Sequence, residues 1–134
     1  MKLVRVDHDG WSSIAVDAGA GELLELREII GIGRNYAEHA KERGAEVPDR
    51  PLVFTKNIAS IVLDGEDVVV PASCRDPETG GEQVDFEGEL AVVIGRPARD
   101  VPPEAALECV LGYCIANDVS ARWWQKQGGG GQFW

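Results

Sequence analysis

A chain of 134 residues with 44% hydrophobic and 27% charged side chains has the make-up of one globular domain or part of one, long enough for a real core. Its net charge of −10, from 23 acids against 13 Lys plus Arg, repels phosphate backbones and anionic lipid, which argues against nucleic acid and membrane as partners. Three cysteines (Cys74, Cys109, Cys114) with no CxxC pair, and two histidines, make neither a disulfide framework nor a zinc site.

The start, Met1 to Asp7, has no apolar stretch long enough for a signal peptide, and no run approaches the ~20 apolar residues that span a bilayer. A cytoplasmic location is expected. Residues 2–6 and 11–16 flank Asp9-Gly10 and predict a hairpin. Ala18-Gly19-Ala20-Gly21 breaks the chain before the apolar stretch Leu23 to Ile32. Asn35 to Glu42 predicts a short helix with Asn35 as N-cap and Gly44 closing it. Pro48 to Pro51 is a turn leading to the strand Leu52-Val53-Phe54. Val68-Val69-Val70 reads as a strand stopped by Pro71, and residues 72–83 as a polar loop. Leu90 to Ile94 reads as a buried strand ended by Gly95 and Pro97. A helix starts at Pro102-Pro103 and is spent by Cys109, and Val110 to Asn117 is strand again. Short strands, many turns and two short helices predict a β-rich α+β fold, not a βαβ repeat. The chain stops at Gly128-Gly129-Gly130-Gly131-Gln132-Phe133-Trp134, two aromatics with no capping helix after them, and the expectation is a truncated product whose next strand is missing.

The most informative residues are Glu87 and Glu89. In an extended strand, alternate side chains share a face and rise ~3.3 Å per residue, so both carboxylates can converge on one ion. Asp118, after its own apolar stretch, supplies a third acid. Such a set suits a hard divalent cation, Mg²⁺ before Ca²⁺ or Mn²⁺. The pair taken alone fits better the solvated face of an amphipathic strand.

Three further constellations stand out. His39 and Glu42, three apart on the predicted helix, can act as a base oriented by a carboxylate, or can be ordinary surface charges beside Glu38, Lys41 and Arg43. Asp118, Arg122 and Gln125 share a face if a helix follows Asp118. Their donors could stabilise an oxyanion, or the first two could form a surface ion pair. Lys56, at a strand end, is a solvated lysine on its own sequence context. Gly31-Ile32-Gly33 begins like a dinucleotide fingerprint, but Tyr36 takes the third glycine's place. The tetraglycine lacks the Lys-Ser/Thr of a phosphate loop, and no nucleophile elbow is present.

Four stretches in order carry a resemblance: Gly33-Arg34-Asn35-Tyr36-Ala37-Glu38-His39, Phe54-Thr55-Lys56, Val84-Asp85-Phe86-Glu87-Gly88-Glu89-Leu90, and Gly112 to Arg122 with its Asn117-Asp118-Val119-Ser120-Ala121-Arg122. From about residue 28 to the last residue the chain resembles the fumarylacetoacetate hydrolase family. The resemblance implies a mixed β-sandwich roll, usually dimeric, with residues 1–27 as an N-terminal hairpin region and 28–134 as the N-terminal portion of the catalytic domain. It implies a Mg²⁺ or Mn²⁺ site of Glu87, Glu89 and Asp118. His39 and Glu42 match the water-activating dyad, Arg122 and Gln125 the substrate and oxyanion contacts, and Lys56 a basic position near the substrate acid group. Asn57 and Trp123 depart from the usual Pro and acidic residue. Relatives continue past this end into a Lys-Ser-x-Asp segment whose lysine belongs to the catalytic site. The implied activity is metal-dependent cleavage of a C–C bond in small dioxo or acylpyruvate-type dicarboxylates. The alternatives are isomerisation or decarboxylation of related acids, and a noncatalytic fragment that binds metal or pairs with another chain.

Overall fold

The computed structural model describes residues 1–42, 44, 46, 48–79 and 83–126. The tetraglycine at 128–131, Phe133 and Trp134 lie outside the described residues, as do Arg43 and part of the polar loop, 80–82. The chain forms two compact units, Met1–Asp67 and Val68–Trp134. Residue 28, where the resemblance begins, falls inside the first.

In the first unit, β1 (Lys2–His8) and β2 (Trp11–Asp17) form the expected antiparallel hairpin, closed by the pair His8↔Trp11. Gly10 supplies the positive φ, +87°, that lets so short a turn reverse the chain. The short β3 (Leu23–Glu25) pairs with the other edge of β2. With neighbours on both edges, β2 is the middle strand, and its Ile14, Ala15 and Val16 are buried.

Next come β4 (Ile29–Gly33) and β5 (Leu52–Lys56), antiparallel, with Gly31 opposite Phe54 and Gly33 opposite Leu52. The glycines that mimic a nucleotide motif therefore lie in a strand under two large cross-strand side chains. Helix α1 (Ala37–Glu42) follows β4. It begins later than predicted: the Ala40 N–H donates to Tyr36 O at 3.1 Å, so Tyr36 and not Asn35 stands at the cap. Gly44, at φ +62°, donates to Lys41 O at 3.0 Å and closes the helix as expected.

The second unit opens with a correction. Val68-Val69-Val70 is not a strand, because no neighbouring chain offers these residues a hydrogen-bond ladder among the described residues. Two 3₁₀ turns, Ala72–Cys74 and Pro77–Thr79, follow. Then β6 (Val84–Asp85) pairs with β9 (Ser120–Ala121), and β7 (Gly88–Ile94) with β8 (Val110–Asn117), all antiparallel. The helix predicted from Pro102 forms as a 3₁₀ helix, Pro103–Cys109, joining β7 to β8. Helix α2 (Arg122–Lys126) continues from β9, and its Trp124 Nε1–H donates to Ser73 O at 3.3 Å.

Strand β7 is where the sequence put it, but it is not buried. Leu90 is 61% exposed and its cross-strand partner Ile115 90% exposed, with Val92, Ile94 and Tyr113 also open. A two-stranded ribbon covers neither of its own faces, so burial there needs another layer. The core among the described residues is accordingly small: Ile14, Ala15, Val16, Ala40 and Cys109. No helix is long and apolar enough to cross a membrane among the described residues.

Candidate functional site

The backbone brings the distant acids together. The β7–β8 ladder ends at Gly88↔Asn117, which leaves Glu87 and Asp118 facing one another just past it. The Asp118 N–H donates to Glu87 O at 2.8 Å, and the Asn117 side-chain oxygen accepts from the Glu87 N–H at 3.0 Å. Glu89 follows two residues later, in β7, opposite Ala116. After Asp118 the chain turns tightly: Val119 N–H donates to Asn117 O, and buried Ser120 donates its hydroxyl to Asp118 O at 3.1 Å. The short β6–β9 pairing then sets Arg122, whose N–H reaches Gln83 O at 2.8 Å.

Arg122 is the hub. Its Nε donates to Asp85 Oδ2 at 2.9 Å, its Nη2 pairs with Glu87 Oε1, and its Nη1 donates to Gln125 Oε1 at 3.2 Å. Asp118 does not share the expected face with Arg122 and Gln125, because the turn at 118–120 and β9 come before α2, and the alternative Asp118–Arg122 ion pair gives way to these partners. The Arg122–Gln125 pairing is formed, one helical turn apart. The Arg122 side chain is 15% exposed, so water screens this cluster less than it does the other ion pairs. Burial alone would pull the guanidinium below its ordinary value. The hydrogen bonds and charges of Asp85 and Glu87 outweigh it and hold the group above that value, permanently charged.

Hard carboxylate oxygens from Glu87, Glu89 and Asp118 match the donors a Mg²⁺ or Mn²⁺ ion takes, and the backbone register fits such a use. The side chains as placed do not yet form it: no group of three or more His, Cys, Asp or Glu is arranged to hold a metal among the described residues. In this arrangement the Arg122 guanidinium already pairs with one oxygen of Glu87.

The remaining predicted residues belong to the first unit. His39 Nδ1 lies 3.9 Å from Glu42 Oε2, neighbours on α1 as the spacing required, yet beyond hydrogen-bond length. Both are well exposed, at 57% and 77%. Lys56 ends β5, opposite Ile29. A cleft of about 160 Å³ lies between residues 32–35 and 48–51, and none of these three lines it.

Two residues at the second-unit cluster escaped the sequence reading. Asn117 holds the Glu87 backbone, and Asp85 holds Arg122. For Asp85 a signal existed: it precedes Glu87 by two residues, the same alternation that drew attention to Glu89. For Asn117 there was none, since its partner is 30 residues away.

Residues 28–134 match the family model described as fumarylacetoacetate (FAA) hydrolase C-terminal. A Burkholderia multivorans protein carrying a hydrolase name is 46% identical over 103 residues, which are 77% of this chain and 34% of that protein. The chain thus spans about a third of the length of the curated relatives it matches. Among solved structures, the 5-carboxymethyl-2-hydroxymuconate delta-isomerase of Mycobacterium smegmatis is similar at a TM-score of 0.63 and 32% identity, with 96% of this chain and 58% of that one covered. The fumarylacetoacetate hydrolase of psychrophilic Exiguobacterium antarcticum is similar at 0.60 and 31%, with 100% and 60% covered.

Proposed function

The chain belongs to the fumarylacetoacetate hydrolase family, and from that premise we propose that it serves divalent-metal-dependent cleavage of a C–C bond in small dioxo or acylpyruvate-type dicarboxylates. Its β-rich fold is of that family's type, and the family includes hydrolases and isomerases by name. What supports the metal part is the single backbone contact that sets Asp118 against Glu87, with Glu89 two residues on, in β7. Glu87, Glu89 and Asp118 would hold Mg²⁺ or Mn²⁺. When bound, the ion supplies Lewis-acid stabilisation of negative charge on a keto-acid or enolate edge.

The protein groups do the rest. Glu42 faces His39 Nδ1, which leaves Nε2 to accept a proton from the attacking water. Water adds to the ketone, and the C–C bond then parts. Lys56 and the Arg122–Gln125 pair offset charge on the substrate and the developing oxyanion. A small dicarboxylate as substrate, a homodimer and a cytoplasmic setting go with this reading. Likeness to the M. smegmatis isomerase favours isomerisation of a related acid as the second reading, since it needs the same stabilised enolate. The test is a Mg²⁺-dependent thermal shift: a ligand at 100 times its Kd adds about 2.7 kcal/mol. No shift, or an equal shift in Glu87→Ala, defeats the metal assignment.

A further inference from the structure

Arg122 creates a difficulty for the reading above, and Asp85 answers it. A guanidinium lying on Glu87 would by itself cancel the charge that a divalent ion needs. Here the same guanidinium also lies on Asp85, so two carboxylates share one cation and one negative charge is left over. The geometry divides the roles. Nε, the nitrogen nearest the Arg122 stem, goes to Asp85 at 2.9 Å, while the terminal nitrogens reach Glu87 and Gln125. Anchoring at Nε fixes the plane of the fork and so aims both terminal nitrogens. The Glu87 oxygen nearest the guanidinium is Oε1. Asp85 itself sits in the β6–β9 pairing opposite Ser120, two residues before Arg122, so the backbone sets its distance.

We infer that Asp85 is a positioning residue: it holds Arg122 and takes up its charge, so that Glu87 is oriented by the arginine without being neutralised by it. This rests on the reading of Glu87 as a cation ligand, and it gives the cluster an order. Asp85 sets Arg122, and Arg122 sets Glu87 and Gln125. Without Asp85 the guanidinium charge falls wholly on Glu87. The effect of Asp85 on cation binding therefore runs through Arg122 and disappears when Arg122 is neutral.

A double-mutant cycle on the whole chain reads this directly, with Mn²⁺ alone as the probe and calorimetry or electron paramagnetic resonance as the readout. Removing a residue that supports a metal ligand costs about 10- to 100-fold in affinity, so Asp85→Asn is expected to weaken Mn²⁺ binding by about tenfold or more. In an Arg122→Gln background the same change is expected to cost less than about twofold. Equal loss in both backgrounds overturns the inference, for Asp85 would then act on the ion directly. The second readout needs no metal: the Arg122 Nε–H resonance is expected to exchange slowly in the wild type and fast in Asp85→Asn. An unchanged Nε–H overturns the positioning role. If the wild type binds no Mn²⁺ while Nε–H protection still depends on Asp85, the metal reading falls and the hold on Arg122 stands. Asp85→Ser takes the place of Asp85→Asn if the latter does not fold, with the same outcomes expected.

Discussion

Replacing Gly31 by Ala tests why a glycine pair interrupts β4. A Cβ on Gly31 would be driven into the Phe54 ring, against Cζ and Cε2 and at 2.7 Å from Cε1. No real Cβ contact is that short, and three ring atoms are involved at once, so the whole aromatic plane must swing away. Overpacking of this kind costs about 1–3 kcal/mol. Ala recovers about 0.4–1 kcal/mol by restricting the unfolded chain. Taken from the middle of both ranges, the net expectation is a loss of about 1 kcal/mol, or a Tm lower by about 3–6 °C in thermal denaturation followed by circular dichroism. The control is Phe54→Ala, which removes the obstructing ring. In that background Gly31→Ala is expected to be neutral or slightly stabilising. Gly33→Ala meets Leu52 most closely at its flexible Cδ2, 2.8 Å away, with Cβ and Cγ at 3.4 Å, and is expected to be milder. Equal destabilisation by Gly31→Ala with and without the ring refutes the reasoning.

Three other outcomes follow from single contacts. Asn117→Ala removes the acceptor for the Glu87 N–H, an exposed neutral bond that contributes about 0.5–1 kcal/mol, and is expected to lower Tm by a few degrees, whereas Asn117→Asp keeps an acceptor and most of the stability; equal damage by both changes counts against the contact. Glu66 has its carboxyl held below 4.5, first by the Leu63 N–H and then by Arg5, so its contribution is present above pH 4.5 and is lost as the pH falls below it. Tm measured against pH for wild type and Glu66→Gln is expected to converge on the acid side, and curves that stay parallel contradict this. His39→Gln, at an exposed position without a hydrogen bond to Glu42, is expected to change stability by less than about 0.5 kcal/mol in denaturant unfolding; a larger loss shows that His39 packs into the fold.

Local pattern carried most of the secondary structure. Asp9-Gly10 fixes the first hairpin because a two-residue turn demands a residue tolerant of positive φ, and the apolar runs at 90–94 and 110–117 locate β7 and β8. The acids were legible for a similar reason, since residues two apart in extended chain share a face. Val68-Val69-Val70 shows where this stops: β-branched residues favour a strand, but a strand exists only with a partner, and pairing is not local. Burial of Leu90 failed likewise, because apolar character states a tendency and a covering layer satisfies it.

The amino-acid order settles the family and most of the turns and strands, since local structure depends on neighbours a few residues apart. Which acid Arg122 chooses is another matter. Asp118 is four residues away and Asp85 thirty-seven, yet the guanidinium goes to Asp85 and Glu87. The antiparallel joining of β6 to β9 brings those carboxylates within 3 Å or less while a tight turn carries Asp118 aside, and distance in space is what an ion pair obeys.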